Sequence, residues 1–186
     1  MKHLEEKLRL KNKYTEYQIQ QIMYLVKTIS SELSKIIIMA FLFRNHIPVY
    51  IFALFALFFL RSFGGGIHFN TYIGCLITTV SYFVLAILVL PSLEVPFYIK
   101  FLALNVCMIL CSRIPPATSK YRPPLSQPKI IICQNITTTF VFCFTILLYI
   151  FPESHYITVG FWVIILHLLQ LIVAKLLVKL KRRERA

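Results

Sequence analysis

The sequence predicts an all-α, polytopic integral membrane protein with about six transmembrane helices and an amphipathic helix on the membrane surface at its N-terminus. Three observations carry that expectation. Hydrophobic residues make up 58% of the 186 positions against 15% charged, and the mean hydropathy is +0.74, a balance foreign to soluble globules. The apolar runs Tyr72 to Leu90, Ile130 to Phe151 and Ile157 to Val178 each approach or exceed the roughly 20 residues a helix needs to cross about 30 Å of hydrocarbon. The net charge of +13 gathers in the N-terminal segment, in the Arg113 to Lys129 loop and in the tail from Lys175. That is the distribution of positive-inside placement on anionic lipid, so the bilayer is the expected partner and nucleic acid is not.

Taken in order, Leu4, Leu8, Ile19, Ile22 and Met23 interleave with Lys7, Arg9, Lys11 and Lys13, the pattern of an amphipathic helix lying on the cytoplasmic face over residues 1–24. Charged residues continue to Lys13, without the apolar core and small-residue cleavage site of a secretory signal, so this end is expected to be retained. Leu25 to Phe43 is interrupted by Lys27, Glu32 and Lys35 and crosses only by tilting or snorkelling. Arg44-Asn-His-Ile-Pro48 breaks the pattern, and Pro48 suits the first turn of the next helix, Val49 to Leu60. After a glycine-rich stretch, Asn70 or Thr71 can cap a helix that runs to Leu90. The turn Pro91 to Pro96 has neither Lys nor Arg and is placed outside.

Phe97 to Cys111 returns inward, and Ser112 to Pro128 is a loop with Arg113, Lys120, Arg122 and five prolines, which exclude continuous helix. Lys129 to Phe151 and Tyr156 to about Lys179 form a hairpin joined outside by Pro152 to His155, and the basic tail fixes the C-terminus inside. The result is one membrane-embedded domain, with the surface helix at 1–24, a bundle over 25–179 and a basic tail at 180–186. Both termini are cytoplasmic. A single broken span from Ile36 to Leu60 ranks second, because it places the N-terminal lysines outside. Five cysteines without a CxxC pair point to neither a disulfide framework nor a zinc ribbon, and no cofactor or metal is expected.

Chemistry is expected in Arg61-Ser-Phe-Gly-Gly-Gly-Ile-His68-Phe-Asn-Thr-Tyr-Ile-Gly-Cys75, at the cytoplasmic face. A helix starting near Thr71 puts Cys75 near its N-terminal end, where the macrodipole favours an anionic sulfur. His68 is the candidate base. Seven residues of unbroken helix would hold the two about 10.5 Å apart along the axis, so His68 must approach from a loop, and the glycines permit the chain to fold back. The plainer alternative is a packing cysteine beside an ordinary tight turn. Arg61 either caps carbonyls and snorkels, or grips a substrate carboxylate with its planar fork. Lys120 and Arg122 are either a solvated loop or a rigid basic clamp for an acidic peptide. His46 and His155 fall at turns on the far face, His3 in the amphipathic segment, and His167 on an apolar helix reads as a satisfied core or interface residue.

The spacing of Arg61, Gly65-Gly66, His68 and Cys75, with the downstream Pro116-Ala117 and Arg122-Pro123, resembles the accessory gene regulator B (AgrB) family of quorum-sensing peptide processors over nearly the whole chain. Ile67 and Phe69-Asn70 depart from the family pattern at positions that bear on substrate preference. The resemblance implies a membrane-embedded cysteine endopeptidase of the bacterial cell membrane, with Cys75 as nucleophile and His68 as base. It implies as partner a small precursor peptide whose acidic C-terminal tail is removed through a thioester on Cys75, leaving a cyclic thiolactone or lactone, and it implies a homodimer. The readings from other classes are a transporter, against which stands the lack of a line of intramembrane acids beyond Glu32, and a non-catalytic scaffold.

Overall fold

The structure, a computed structural model, describes residues 16–66, 71–117 and 125–183. Residues 1–15, His68, Lys120, Arg122 and the last three residues of the tail lie outside these. Among the described residues there is no strand, only one isolated bridge between Gly65 and Ala117. The chain divides into two compact units, Met1–Asn45 and His46–Ala186.

Among the described residues of the first unit, one α-helix, α1, covers Glu16–Leu42. Where the change of pattern near residue 24 reads as a boundary, the helix continues, because no Gly or Pro separates Tyr24 from Leu25. Lys35 Nζ donates to Glu32 Oε1 at 2.6 Å on this helix, an i,i+3 pair that offsets part of the charge in a segment otherwise rich in Ile, Leu and Phe. A short 3-10 turn, Arg44–His46, follows.

Among the described residues, the second unit contains five α-helices. Helix α2, Ile47–Gly64, carries Pro48 in its first turn. Helix α3, Tyr72–Val84, runs into a π-helical segment, Leu85–Val89, and a 3-10 turn, Leu90–Ser92. Helix α4 is Phe97–Arg113, α5 is Gln127–Ile150 and α6 is His155–Arg183. Among the described residues, four segments are long and apolar enough to cross a membrane: Arg44–Gly64, Tyr72–Ser92, Gln127–Ile150 and His155–Leu177. Helices α1 and α4 are not among them. Three charges interrupt the apolar part of α1, and α4 has 17 residues, roughly 25 Å of rise.

Helix α6 is the hub. Half of its most apolar window is buried, against 22 to 39% for the other three spans, and it packs on α2, α4, α5 and the π-helical segment. Val159, Val163 and Ile164 of α6 meet a core that includes Ala53 and Leu60 of α2, Leu104 of α4, and Val141 and Leu148 of α5. Gly160 supports this closeness, since a Cβ there would collide with Phe144 of α5 and come within 3.1 Å of the Phe52 ring of α2. Large apolar side chains such as Phe55 (68% exposed), Phe58 and Leu102 point outward. That exposure is costly in water and natural in lipid.

Candidate active site

The end of α2 is shaped by three glycines with three different neighbours. Gly65 N–H closes the helix on Arg61 O at 3.1 Å and then takes φ +77, ψ −159, a region reached essentially by glycine alone. This turn meets the segment after α4: Ala117 N–H donates to Gly64 O at 3.0 Å, and a Cβ on Gly65 would overlap the Ala117 carbonyl. A Cβ on Gly66 would sit 3.1 Å from Arg61 Nε, and one on Gly64 would sit 2.8 Å from His167 Nε2. The sequence marks this run as a turn. The structure adds that it lets Arg61, Ala117 and His167 approach the same few backbone atoms.

The start of α3 is built by Thr71, extended at φ −111, ψ 141, whose Oγ1 accepts from Gly74 N–H at 3.3 Å. Cys75, the fourth helical residue, donates its N–H to Thr71 O at 3.2 Å. One turn on, Thr78 Oγ1 donates to Gly74 O and Thr79 Oγ1 to Cys75 O, both at 2.8 Å. Tyr82 Oη donates to Val163 O at 2.6 Å, tying α3 to α6. Cys75 is half-buried. It lines a small cavity with Thr78, Thr79 and Tyr82 of α3, Leu57 and Arg61 of α2, and Gln170 of α6, with room for about one water molecule.

A second small cavity is lined by Phe63 and Gly64 of α2, Cys111 of α4, Pro116, Cys133 and Thr137 of α5, and His167 of α6. His167 is 2% exposed, and neither ring nitrogen has a hydrogen-bond partner among the described residues. A core position was expected for it, and it is buried as expected, yet no protein group described here satisfies it. Gln170 Oε1 is likewise buried without a partner among the described residues. Sequence reasoning gave His167 no more than a packing role and passed over Gln170. The available signal was their spacing: two polar side chains three apart, hence on one helix face, in the apolar run Val159 to Ala174.

Of the residues proposed from sequence, Cys75 and Arg61 share one cavity, and Gly65 and Gly66 form the turn beside Arg61. His68, Lys120 and Arg122 lie outside the described residues. All five cysteines are thiols. Among the described residues no three His, Cys, Asp or Glu side chains converge as a metal site.

The family model described as Accessory gene regulator B matches residues 1–172. A protein of Clostridium beijerinckii described as AgrB-like is 34% identical over 139 residues, covering 72% of this chain and 67% of that protein. No solved structure matches.

Proposed function

The chain belongs to the accessory gene regulator B family, and from that premise we propose that it is a membrane-embedded cysteine endopeptidase that matures a small quorum-sensing precursor peptide. The observation that carries this reading is the placement of Cys75. Its side chain lies in the N-terminal part of a helix, in a cavity it shares with the Arg61 side chain, and both the helix terminus and the guanidinium suit a sulfur that develops negative charge.

Cys75 Sγ attacks the scissile carbonyl carbon, the C–N bond breaks, and the acidic tail leaves as an amine that takes a proton from His68, which removed it from the thiol. The resulting thioester retains acyl reactivity. A Cys or Ser side chain within the peptide attacks it, forming the ring and returning the Cys75 thiol. Enclosure in a membrane-embedded helix bundle keeps bulk water from hydrolysing the intermediate. Arg61, Lys120 and Arg122 hold the acidic tail. The peptide and the enzyme share one leaflet, which raises their effective concentration. The protein crosses the membrane six times, with α1 and α4 as the two further crossings and both termini and the site cytoplasmic, and it works as a homodimer.

The test is co-expression with a short peptide encoded beside this chain that has an amphipathic start, a central Cys or Ser and an acidic end. Mass spectrometry is expected to find the truncated peptide on Cys75, while Cys75→Ser and His68→Ala abolish tail removal. Full processing by either variant would sink the proposal.

A further inference from the structure

The peptidase reading leaves one group unassigned, the donor for the negative oxygen that forms when sulfur adds to the carbonyl. We propose that the side-chain amide of Gln170 is that donor, an inference that rests on the peptidase reading above. Cys75 and Gln170 come from different helices, α3 and α6, and line the same cavity. Its size, about one water molecule, is also that of one carbonyl oxygen.

The hydroxyl groups around the cavity are committed elsewhere. The hydroxyl protons of Thr78, Thr79 and Tyr82 go to the carbonyls of Gly74, Cys75 and Val163. The backbone N–H groups of Gly74 and Cys75 donate to Thr71. Gln170 differs from all of these, since its Oε1 is buried and has no partner among the described residues. The two ends of a carboxamide have nearly the same shape, so a half-turn about its last bond presents an NH2 where the oxygen lies. Gln170 Oε1 is the end left unpaired, a buried acceptor without a donor is costly, and turning the NH2 into the cavity gives an acyl oxygen a donor at the moment that matters. Arg61, on the same cavity wall, adds positive charge to the oxyanion.

In the step itself the Sγ–C bond forms and the carbonyl π pair moves to oxygen, which accepts a hydrogen bond from Gln170 Nε2. The pair then returns, C=O re-forms and the leaving group departs. Such a donor acts only on reactions that pass through an oxyanion. Two small reagents separate that role from a structural one. p-Nitrophenyl acetate acylates a thiol through a tetrahedral oxyanion and releases p-nitrophenolate, whereas iodoacetamide alkylates the same thiol by displacement at carbon, with no oxyanion.

The full-length protein in lipid vesicles is treated with each reagent, and modification of Cys75 is followed by mass spectrometry. In Gln170→Leu, and in the near-isosteric Gln170→Glu, acylation is expected to fall on the order of 100-fold, while alkylation stays within about twofold. Acylation of either variant at close to the wild-type rate overturns the inference, and so does a parallel loss with both reagents, which marks a structural role. If wild type and His68→Ala acylate Cys75 equally fast, the peptidase reading falls and this inference with it.

Discussion

Gly65 and Gly66 are adjacent and both permit close approach, but for different reasons, and the difference is measurable. Gly65 holds φ +77 and faces the Ala117 backbone, whereas a Cβ on Gly66 meets only the flexible Arg61 side chain at 3.1 Å. Gly65→Ala therefore combines backbone strain of about 1–3 kcal/mol with a clash that backbone must yield to. Gly66→Ala asks a long side chain to shift by a few tenths of an ångström. Thermal unfolding in detergent is expected to show a clear drop in Tm for Gly65→Ala and a small one for Gly66→Ala, with equal drops contradicting the assignment. The sequence made the need for glycine here legible. It could not say why each was needed, because Ala117 and His167 are far along the chain and only tertiary packing brings them to this turn.

Helix boundaries show the same division. Thr71 or Asn70 ahead of an apolar run is a local signature of a helix start, and the structure selects Thr71 through its contact with Gly74. The cap holds the first turn of the helix that carries Cys75. In Thr71→Val, which keeps the shape and loses the acceptor, the first turn is expected to weaken by about 0.5–1 kcal/mol. Amide hydrogen exchange over residues 72–79 should then accelerate by roughly two- to fivefold, while Thr71→Ser leaves it near wild type. Unchanged exchange in Thr71→Val would show that packing alone fixes this end. The turns at residues 44–46, 91–96 and 152–154 were equally legible, from Pro and polar clusters. The continuity of α1 was not, because a change in charge pattern imitates a boundary where the backbone has no reason to break.

At the scale of the second unit, a few hydrogen bonds decide which helix ends lie together. Lys100 Nζ at the start of α4 donates to Thr158 Oγ1 at the start of α6, 3.1 Å away. Past the other end of α4, Pro116 O accepts from Lys175 Nζ of α6 at 3.4 Å, and Gln134 Nε2 of α5 donates to Ser112 O at 3.1 Å. Helix α4 thus runs beside α6 from Thr158 to Lys175, the stretch over which α6 is apolar enough to cross. Its 17 residues fall below the usual length, yet its ends lie with the ends of a full span; on the proposed six-span reading, thinning of the bilayer or snorkelling of Arg113 would accommodate the mismatch. The turn at Ser92 and the turn at Ser154 then share one face, and Ser112 and Ser126 share the opposite one, with Arg61 and the glycine turn. The charges agree: Glu94 and Glu153 lie at the first pair of turns, and Arg113, Lys129 and Lys175 near the second. Single cysteines placed at these four serines, in a background lacking the native cysteines, are expected to react with a membrane-impermeant maleimide in two groups. Residues 92 and 154 label from outside intact cells, and residues 112 and 126 label only after the membrane is opened. Labelling of 92 and 112 from the same face would mean that α4 does not cross, and would overturn the proposed cytoplasmic placement of the Cys75 cavity.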